Sequence, residues 1–206
     1  MIAVIDYQMG NLRSVANALD SLGARTCVTQ DPRDLESAAA IVLPGVGAFG
    51  RGMENLQRLN LLDAINEQVV ARKKPYLGLC LGMQFLARES TEFGRHQGFG
   101  WIDGIVRELR PGDPGFKVPH MGWNNVEVRS REPLFRNMDE SPIFYFVHSL
   151  VLEIDAAEQS RISATCWHGE RVTASVQHEN IFGVQFHPEK SQRDGLKLLE
   201  NFLRLV

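Results

Sequence analysis

Three short strings carry residue types that could do chemistry together. The first is Gly78-Leu79-Cys80-Leu81-Gly82, where an apolar β-type run (75–79) gives way to a helical pattern (81–89). A nucleophile on so tight a strand-to-helix turn leaves no room for large neighbours at the two outer positions, hence the glycines. The turn offers the thiol at the strand's carboxyl end, facing the start of the next helix. Helix N–H groups there favour thiolate over thiol, and the Leu81 N–H is placed to donate to an oxyanion. The second string, His187-Pro188-Glu189, can supply a base and the group that orients it. In an extended segment residues i and i+2 point the same way, and Pro188 discourages helix before it, so His187 and Glu189 can lie side by side. The third, Pro44-Gly45-Val46-Gly47, ends another apolar run. Its glycines permit the close approach and unusual φ/ψ of a loop that donates N–H groups to an anion. Each string alone has a blander reading: a packed core cysteine, a surface loop, a generic turn.

Such residues can meet only if the chain brings several strand ends to one edge, and its first half predicts that. Residues 2–7 form a compact β-type run. Leu12, Val15, Ala16, Leu19 and Leu22 then recur at helical spacing and Gly23 closes the helix. Residues 25–29 read as a strand, 34–38 as a short helix, 39–43 as a buried strand, 52–72 as one long helix, 75–79 as a strand and 81–89 as a helix. Continuous apolar strands alternating with helices imply βαβ units and a parallel sheet covered on both faces. The second half changes to short runs broken by Gly, Pro, Asn and Asp: 102–109, 125–128, 143–151, 162–167, 171–177 and 181–186. His178-Glu179-Asn180 predicts a hairpin. A last helix has Leu199, Phe202, Leu203 and Val206 on its apolar face. The expectation is one α/β domain over 1–206, with a mostly parallel central sheet flanked by helices and a mixed or antiparallel second half. In such a sheet the loops at the carboxyl edge would bring Cys80 and His187 together.

Together the three strings, with Met83-Gln84 after the elbow, resemble the class I (triad) glutamine amidotransferases in residues, order and spacing over essentially the whole chain. Pro119-His120-Met121-Gly122-Trp123-Asn124, Tyr145-Phe146-Val147-His148-Ser149 and residues 184–191 look most like the branch of that family that serves histidine biosynthesis. The resemblance implies that Cys80 attacks the side-chain amide of glutamine, His187 moves the proton and Glu189 orients the imidazole. A γ-glutamyl thioester forms, ammonia leaves, and water releases glutamate. It assigns the oxyanion hole to the Leu81 N–H and an N–H of Gly45, Val46 or Gly47, and glutamine binding to Gly47, Gln84, His148 and Ser149. Where the family often has an aromatic or Thr-Tyr after this histidine, Ser149-Leu150 stands here, leaving that contact to the backbone. It further implies a heterodimer with a (β/α)8 synthase (cyclase) subunit that receives the ammonia, with Trp123, Asn124, Tyr145 and Lys190 at or near the contact. Trp123 and Tyr145 also read as core aromatics. The Gly45–Val46 peptide, flanked by glycine, is expected to rotate to complete the hole.

Composition sets the bounds. Of 206 residues, 22 are Lys or Arg and 25 Asp or Glu, a net charge of −3. That balance offers no footprint for nucleic acid or an anionic membrane. Three cysteines suit a reducing compartment rather than a disulfide framework. The amino terminus lacks the marks of a signal peptide, and no uncharged stretch is long enough to span a bilayer. A cytoplasmic protein is expected, too short to carry an ammonia-consuming domain as well. No cysteine–histidine spacing resembles a zinc site, and thiolate, acid–base and oxyanion chemistry needs no metal or organic cofactor. Cys27 and Cys166 read as core or edge thiols, and His96, His168 and His178 as solvent-facing turn residues. The role of His120 stays open between site and packing.

Overall fold

The computed structural model describes residues 1–206. In chain order its elements are β1 (Ile2–Ile5), α1 (Leu12–Ser21), β2 (Thr26–Thr29), α2 (Pro32–Ser37), β3 (Ala40–Gly45), α3 (Phe49–Arg58), α4 (Leu61–Asn66), β4 (Tyr76–Cys80), α5 (Leu81–Gln84), β5 (Ala87–Ser90), β6 (His96–Gln97) and β7 (Ile102–Glu108). There follow β8 (His120–Asn125), β9 (Glu127–Val128), β10 (Ile143–His148), β11 (Leu150–Ile154), β12 (Ile162–Trp167), β13 (Arg171–His178), β14 (Ile181–Val184) and α6 (Gln192–Leu203). The main sheet has the order β2–β1–β3–β4–β14–β13–β12–β9. Its first five strands are parallel and the rest antiparallel, the mixed architecture expected. No helix is long and apolar enough to cross a membrane.

The parallel strands are apolar throughout because both faces are covered. Ile2, Val4, Val42, Leu77 and Leu79 pack on one side with α1 and α6, through Leu19, Leu198 and Phe202. Ala3, Ile5, Ile41, Leu43 and Tyr76 pack on the other, with Leu56 and Ile65. Asn11 caps α1, its side chain accepting from Ser14 N, and Asp31 with Pro32 starts α2. The hairpin at His178-Glu179-Asn180 forms, with Glu179 at φ 51°.

Five expectations need correction. The long helix over 52–72 is two helices, α3 and α4, broken where Asn60 adopts φ 56°, followed by a wide π-helical turn at Glu67–Ala71. Helix 81–89 is a single turn, Leu81–Gln84, because Ala87–Ser90 leaves to pair with β6 and β7. The run 143–151 splits at Ser149: β10 pairs with β8 as a separate two-stranded ribbon, and β11 joins a second sheet ordered β11–β7–β5–β6. Strand β8 lies over 120–125, so the run placed at 125–128 begins on its last residue, Asn125, and beyond it contributes only the two-residue β9. Val206 lies beyond α6 and is half exposed, so it does not share that helix's buried face.

Candidate active site

Sheet register assembles the site. In the β3–β4 pair Gly45 lies opposite Cys80, so the glycine loop and the nucleophile are neighbours by strand alignment. In the β4–β14 pair Leu79 lies opposite Val184, and continuing the chain past Val184 carries Gln185 and His187 to the same carboxyl edge. Cys80 itself has φ 53° and ψ −104°, strained for any residue but glycine. The strain is enforced by packing on both sides. A Cβ on Gly78 would stand 2.3 Å from Gly82 O, and one on Gly82 1.8 Å from Leu43 O. Both outer glycines are therefore obligatory, as the spacing predicts. One inference from the spacing weakens: with only one helical turn after the elbow, the helix dipole offers little to a thiolate.

His187 and Glu189 do meet: Nδ1 and Oε1 are 2.8 Å apart, with side chains 5% and 2% exposed. They do so differently from the extended-segment expectation, because Pro188–Lys190 forms a 3₁₀ turn after an extended His187. Ser191 fastens this turn, its Oγ donating to His187 O and accepting from Tyr145 N. Burial alone would lower the His187 pKa, but the Cys80 sulfur and the Glu189 carboxylate outweigh it and raise the imidazole to about 9. Nε2 of His187 is buried with no hydrogen-bond partner and is the atom free to exchange a proton.

A cleft of about 410 Å³ opens over Cys80, lined by Val46, Gly47, Leu81, Gln84, His148 and Ser149 among others. The predicted nucleophile, oxyanion-loop and glutamine-binding positions thus share one cavity. Gly45 borders it from beneath: a Cβ there would lie 1.8 Å from the Tyr7 hydroxyl. Gly47 sits at φ 99°, open to glycine and strained for other residues. Gln84 is buried and spends its amide N–H groups on Leu150 O (3.3 Å) and Gln185 Oε1 (3.1 Å), which leaves its own Oε1 available to a ligand.

Two site residues escaped the sequence reading. Gln185 is fully buried and its Nε2 donates to the Cys80 sulfur at 3.6 Å. The signal was its place two residues before His187, directly after β14. Tyr7 is fully buried beneath the loop, its hydroxyl unpartnered, and burial with the nearby Cys80 charge pushes its pKa well up. It is 73 positions away in sequence (80 − 7) and only the β1–β3–β4 pairing brings it near.

Of the residues expected near a partner, Trp123, Asn124 and Tyr145 lie beside the cleft on the β8–β10 ribbon, where Trp123 pairs with Tyr145, and Lys190 lies on the 3₁₀ turn after His187. Neither aromatic is core: Trp123 is 50% exposed, Tyr145 half-buried, and Lys190 stands over the Tyr145 ring. Asn124 is half-buried and donates to Trp167 O. His120 is buried between the rings of Phe146 and His168 and hydrogen-bonds to His148, so it supports the cleft wall. His168 stacks on His120, and His96 and His178 are half-buried rather than free in solvent. Cys166 is buried, with its thiol pushed up to about 12, and Cys27 lies on the edge strand β2. No cluster of His, Cys, Asp and Glu suited to a metal forms.

A family model described as glutamine amidotransferase class-I matches residues 3–206. "Imidazole glycerol phosphate synthase subunit HisH 1" of Campylobacter jejuni (strain RM1221) is 46% identical over 205 residues, covering all of both chains. A subunit of the same name, HisH 2, from Vibrio vulnificus is also 46% identical, covering all of this chain and 94% of its own. Among solved structures, a glutamine amidotransferase superposes with a TM-score of 0.75 at 19% identity, over 100% of this chain and 98% of that one. PurLQS from Thermotoga maritima superposes at 0.76 and 20% identity, over 99% and 97%. These structures support the fold.

Proposed function

The chain belongs to the class-I glutamine amidotransferases, and we propose that it is the glutaminase subunit of an imidazole glycerol phosphate synthase. In that role it hydrolyses glutamine and passes ammonia to a (β/α)8 cyclase subunit that makes imidazole glycerol phosphate and AICAR on the route to L-histidine. The observation that carries this reading is the triad at one sheet edge, held by a chain alignable end to end, at 46% identity, with subunits of that name.

The chemistry follows from the geometry. Cys80 sulfur attacks Cδ of the glutamine side chain, and the carbonyl π pair moves onto oxygen. The Leu81 N–H and an N–H of the Gly45–Gly47 loop stabilise the oxyanion. His187 gives its proton to the amide nitrogen, the C–N bond breaks, and ammonia leaves a γ-glutamyl thioester. Water then attacks as His187 takes its proton, the C–S bond breaks, and glutamate leaves with Cys80 and His187 restored. Gln84, Gly47, His148 and Ser149 hold the substrate. Glu189, sharing a 2.8 Å contact with Nδ1, keeps the imidazole oriented through both steps.

Ammonia released at an open cleft would be lost to water, so the mouth must be covered. The rim supplies an apolar surface for this: Phe93 is 92% exposed, Met121 62% and Trp123 50%. With Asn124, Tyr145 and Lys190 this rim is where the cyclase subunit docks, and docking turns the Gly45–Val46 peptide into the oxyanion hole. A reduced active thiol suits the cytoplasm. The test compares glutamine-dependent with ammonia-dependent product formation in the assembled synthase. Cys80→Ala should abolish the first and spare the second. Full glutamine-dependent turnover by that variant would overturn the reading.

A further inference from the structure

A file of hydrogen bonds runs from the rim ribbon to one wall of the cleft, and its direction is fixed at both ends. At the cleft end His148 Nδ1 lies 2.8 Å from Leu150 O. A carbonyl only accepts, so Nδ1 carries the proton and Nε2 of the neutral ring is an acceptor. His120 Nδ1, 2.9 Å from that Nε2, must therefore be the donor. This leaves His120 Nε2 as an acceptor, and it receives an Asn124 Nδ2–H at 3.2 Å. The second Asn124 N–H goes to Trp167 O at 2.9 Å, a carbonyl again. Reversing any member would set two donors or two acceptors face to face. His120 has no freedom to turn, because Phe146 stacks on one face of its ring (centroids 4.5 Å apart) and His168 on the other (4.0 Å).

The end of the file matters because Leu150 O also accepts from Gln84, and His148, Ser149 and Leu150 form one wall of the cleft. The wall lies where β10 ends and β11 departs to another sheet, and Ser149 is held from the β11 side alone, its O accepting from Leu109 N at 2.8 Å. The His148–Leu150 bond ties the end of β10 to that anchored segment. We propose that His120 and Asn124 are positioning residues for glutamine binding: they lock His148 in its Nδ1–H form, which fixes the 148–150 wall and links it to the ribbon bearing Trp123. Neither residue touches the reacting atoms. The proposal rests on the glutaminase reading for its kinetic consequence but not for its tautomers.

Nitrogen-15 spectra of the imidazoles at pH 7 test the tautomers on the free chain. His120 and His148 should both appear as neutral Nδ1–H rings and His168, which faces Lys117 O through Nε2, as Nε2–H. A charged ring or an Nε2–H form at His120 or His148 overturns the file, whatever the enzyme does. Steady-state kinetics with L-glutamine on the assembled synthase then test its purpose. His120→Phe, which keeps the stack and removes the donor, should raise KM about tenfold, the worth of one well-made hydrogen bond. Its kcat should stay within about twofold, because the triad is untouched. His120→Asn can place an amide N–H near the Nδ1 position, and should bring KM back to within about threefold. Should His120→Phe not fold, Asn124→Leu takes its place with the same expected direction. An unchanged KM in the folded variant, or an Asn variant as poor as the Phe variant, refutes the positioning role.

Discussion

Replacing Glu189 by Gln removes a charge while leaving an oxygen that can still accept from His187. The consequence can be sized from the site. His187 is raised from 6.5 to about 9 although its burial works the other way, a net preference for the protonated ring of about 3.4 kcal/mol at 1.36 kcal/mol per unit. Two groups supply it, Cys80 and Glu189. Both triad side chains are almost wholly buried, so the carboxylate's share is little screened by solvent. Assigning it half gives about 1.7 kcal/mol, or roughly a twentyfold fall in kcat/KM.

The same loss has a direction in pH. Activity needs the His187 proton for the departing ammonia, so the wild-type alkaline limb should lie near pH 9 and the Gln variant's about one unit lower. Stability follows with the sign of a raised pKa. The contribution is fully present below pH 6.5 and is lost as pH rises through 9. The variant should therefore lose more stability at pH 6 than at pH 9.5. Glutaminase pH profiles on the assembled enzyme, with thermal melts at those two pH values, give the readout. Unchanged kcat/KM with an unmoved alkaline limb would refute the argument that Glu189 holds the imidazolium.

Other perturbations reach other parts of the design. Gly82→Ala puts a Cβ 1.8 Å from Leu43 O, a backbone atom that cannot step aside, and should destabilise by about 3 kcal/mol or more, read by chemical denaturation. Tyr7→Phe deletes a buried hydroxyl that has no partner, so it should raise the melting temperature, with a gain of about 1 kcal/mol; a loss would mean the hydroxyl is satisfied in solution. Acid should unfold the chain through its neutral histidines. Burial, with His168 and the other facing rings, holds His148 down to about 4 and His120 to about 3. Their contribution is intact above pH 6.5 and disappears as pH falls through 4, costing about 2 kcal/mol at pH 5 from His148 alone. Denaturation at pH 7 and pH 5 measures it, and His148→Gln should roughly halve the difference, His120 supplying the rest.

How much of this could be read from the chain depends on where the information resides. The elbow was legible because Gly78, Cys80 and Gly82 meet a local steric demand that any chain making this turn must meet. The parallel strands were legible because burial on both faces leaves an unbroken apolar run. Helix 81–89 was misread because Phe85 and Leu86 continue an apolar period while the chain is already leaving for the second sheet, an exit dictated by the pairing of Ala87–Ser90. The splitting of 143–151 is of the same kind: nothing in the local spacing marks Ser149 as a boundary, and the decision lies in which remote strands compete for each half. Tyr7 and the tautomers of His120 and His148 depend wholly on tertiary neighbours, and periodicity does not carry such information.

The two sides of the cleft are built by different rules. Cys80, the Gly45 loop and His187 hang from adjacent parallel strands, where register fixes positions to within a hydrogen-bond length and cannot drift without breaking the sheet. The facing wall belongs to a two-stranded ribbon, β8–β10, which lies outside both larger sheets and is marginal by itself. Beyond one backbone bond, His187 N to Tyr145 O at 2.9 Å, its rigidity comes from side chains: stacked Phe146, His120 and His168, the Ser191 clasp to Tyr145, and the neutral histidine file. A rigid reacting edge opposite a wall set by a handful of side-chain contacts is what an enzyme needs if chemistry must stay constant while substrate access answers to a partner. A body seated on Trp123 and Met121 would press on the ribbon rather than on the sheet. Its influence would reach glutamine binding through the 148–150 wall, and His187 through the Tyr145 backbone and the Ser191 clasp.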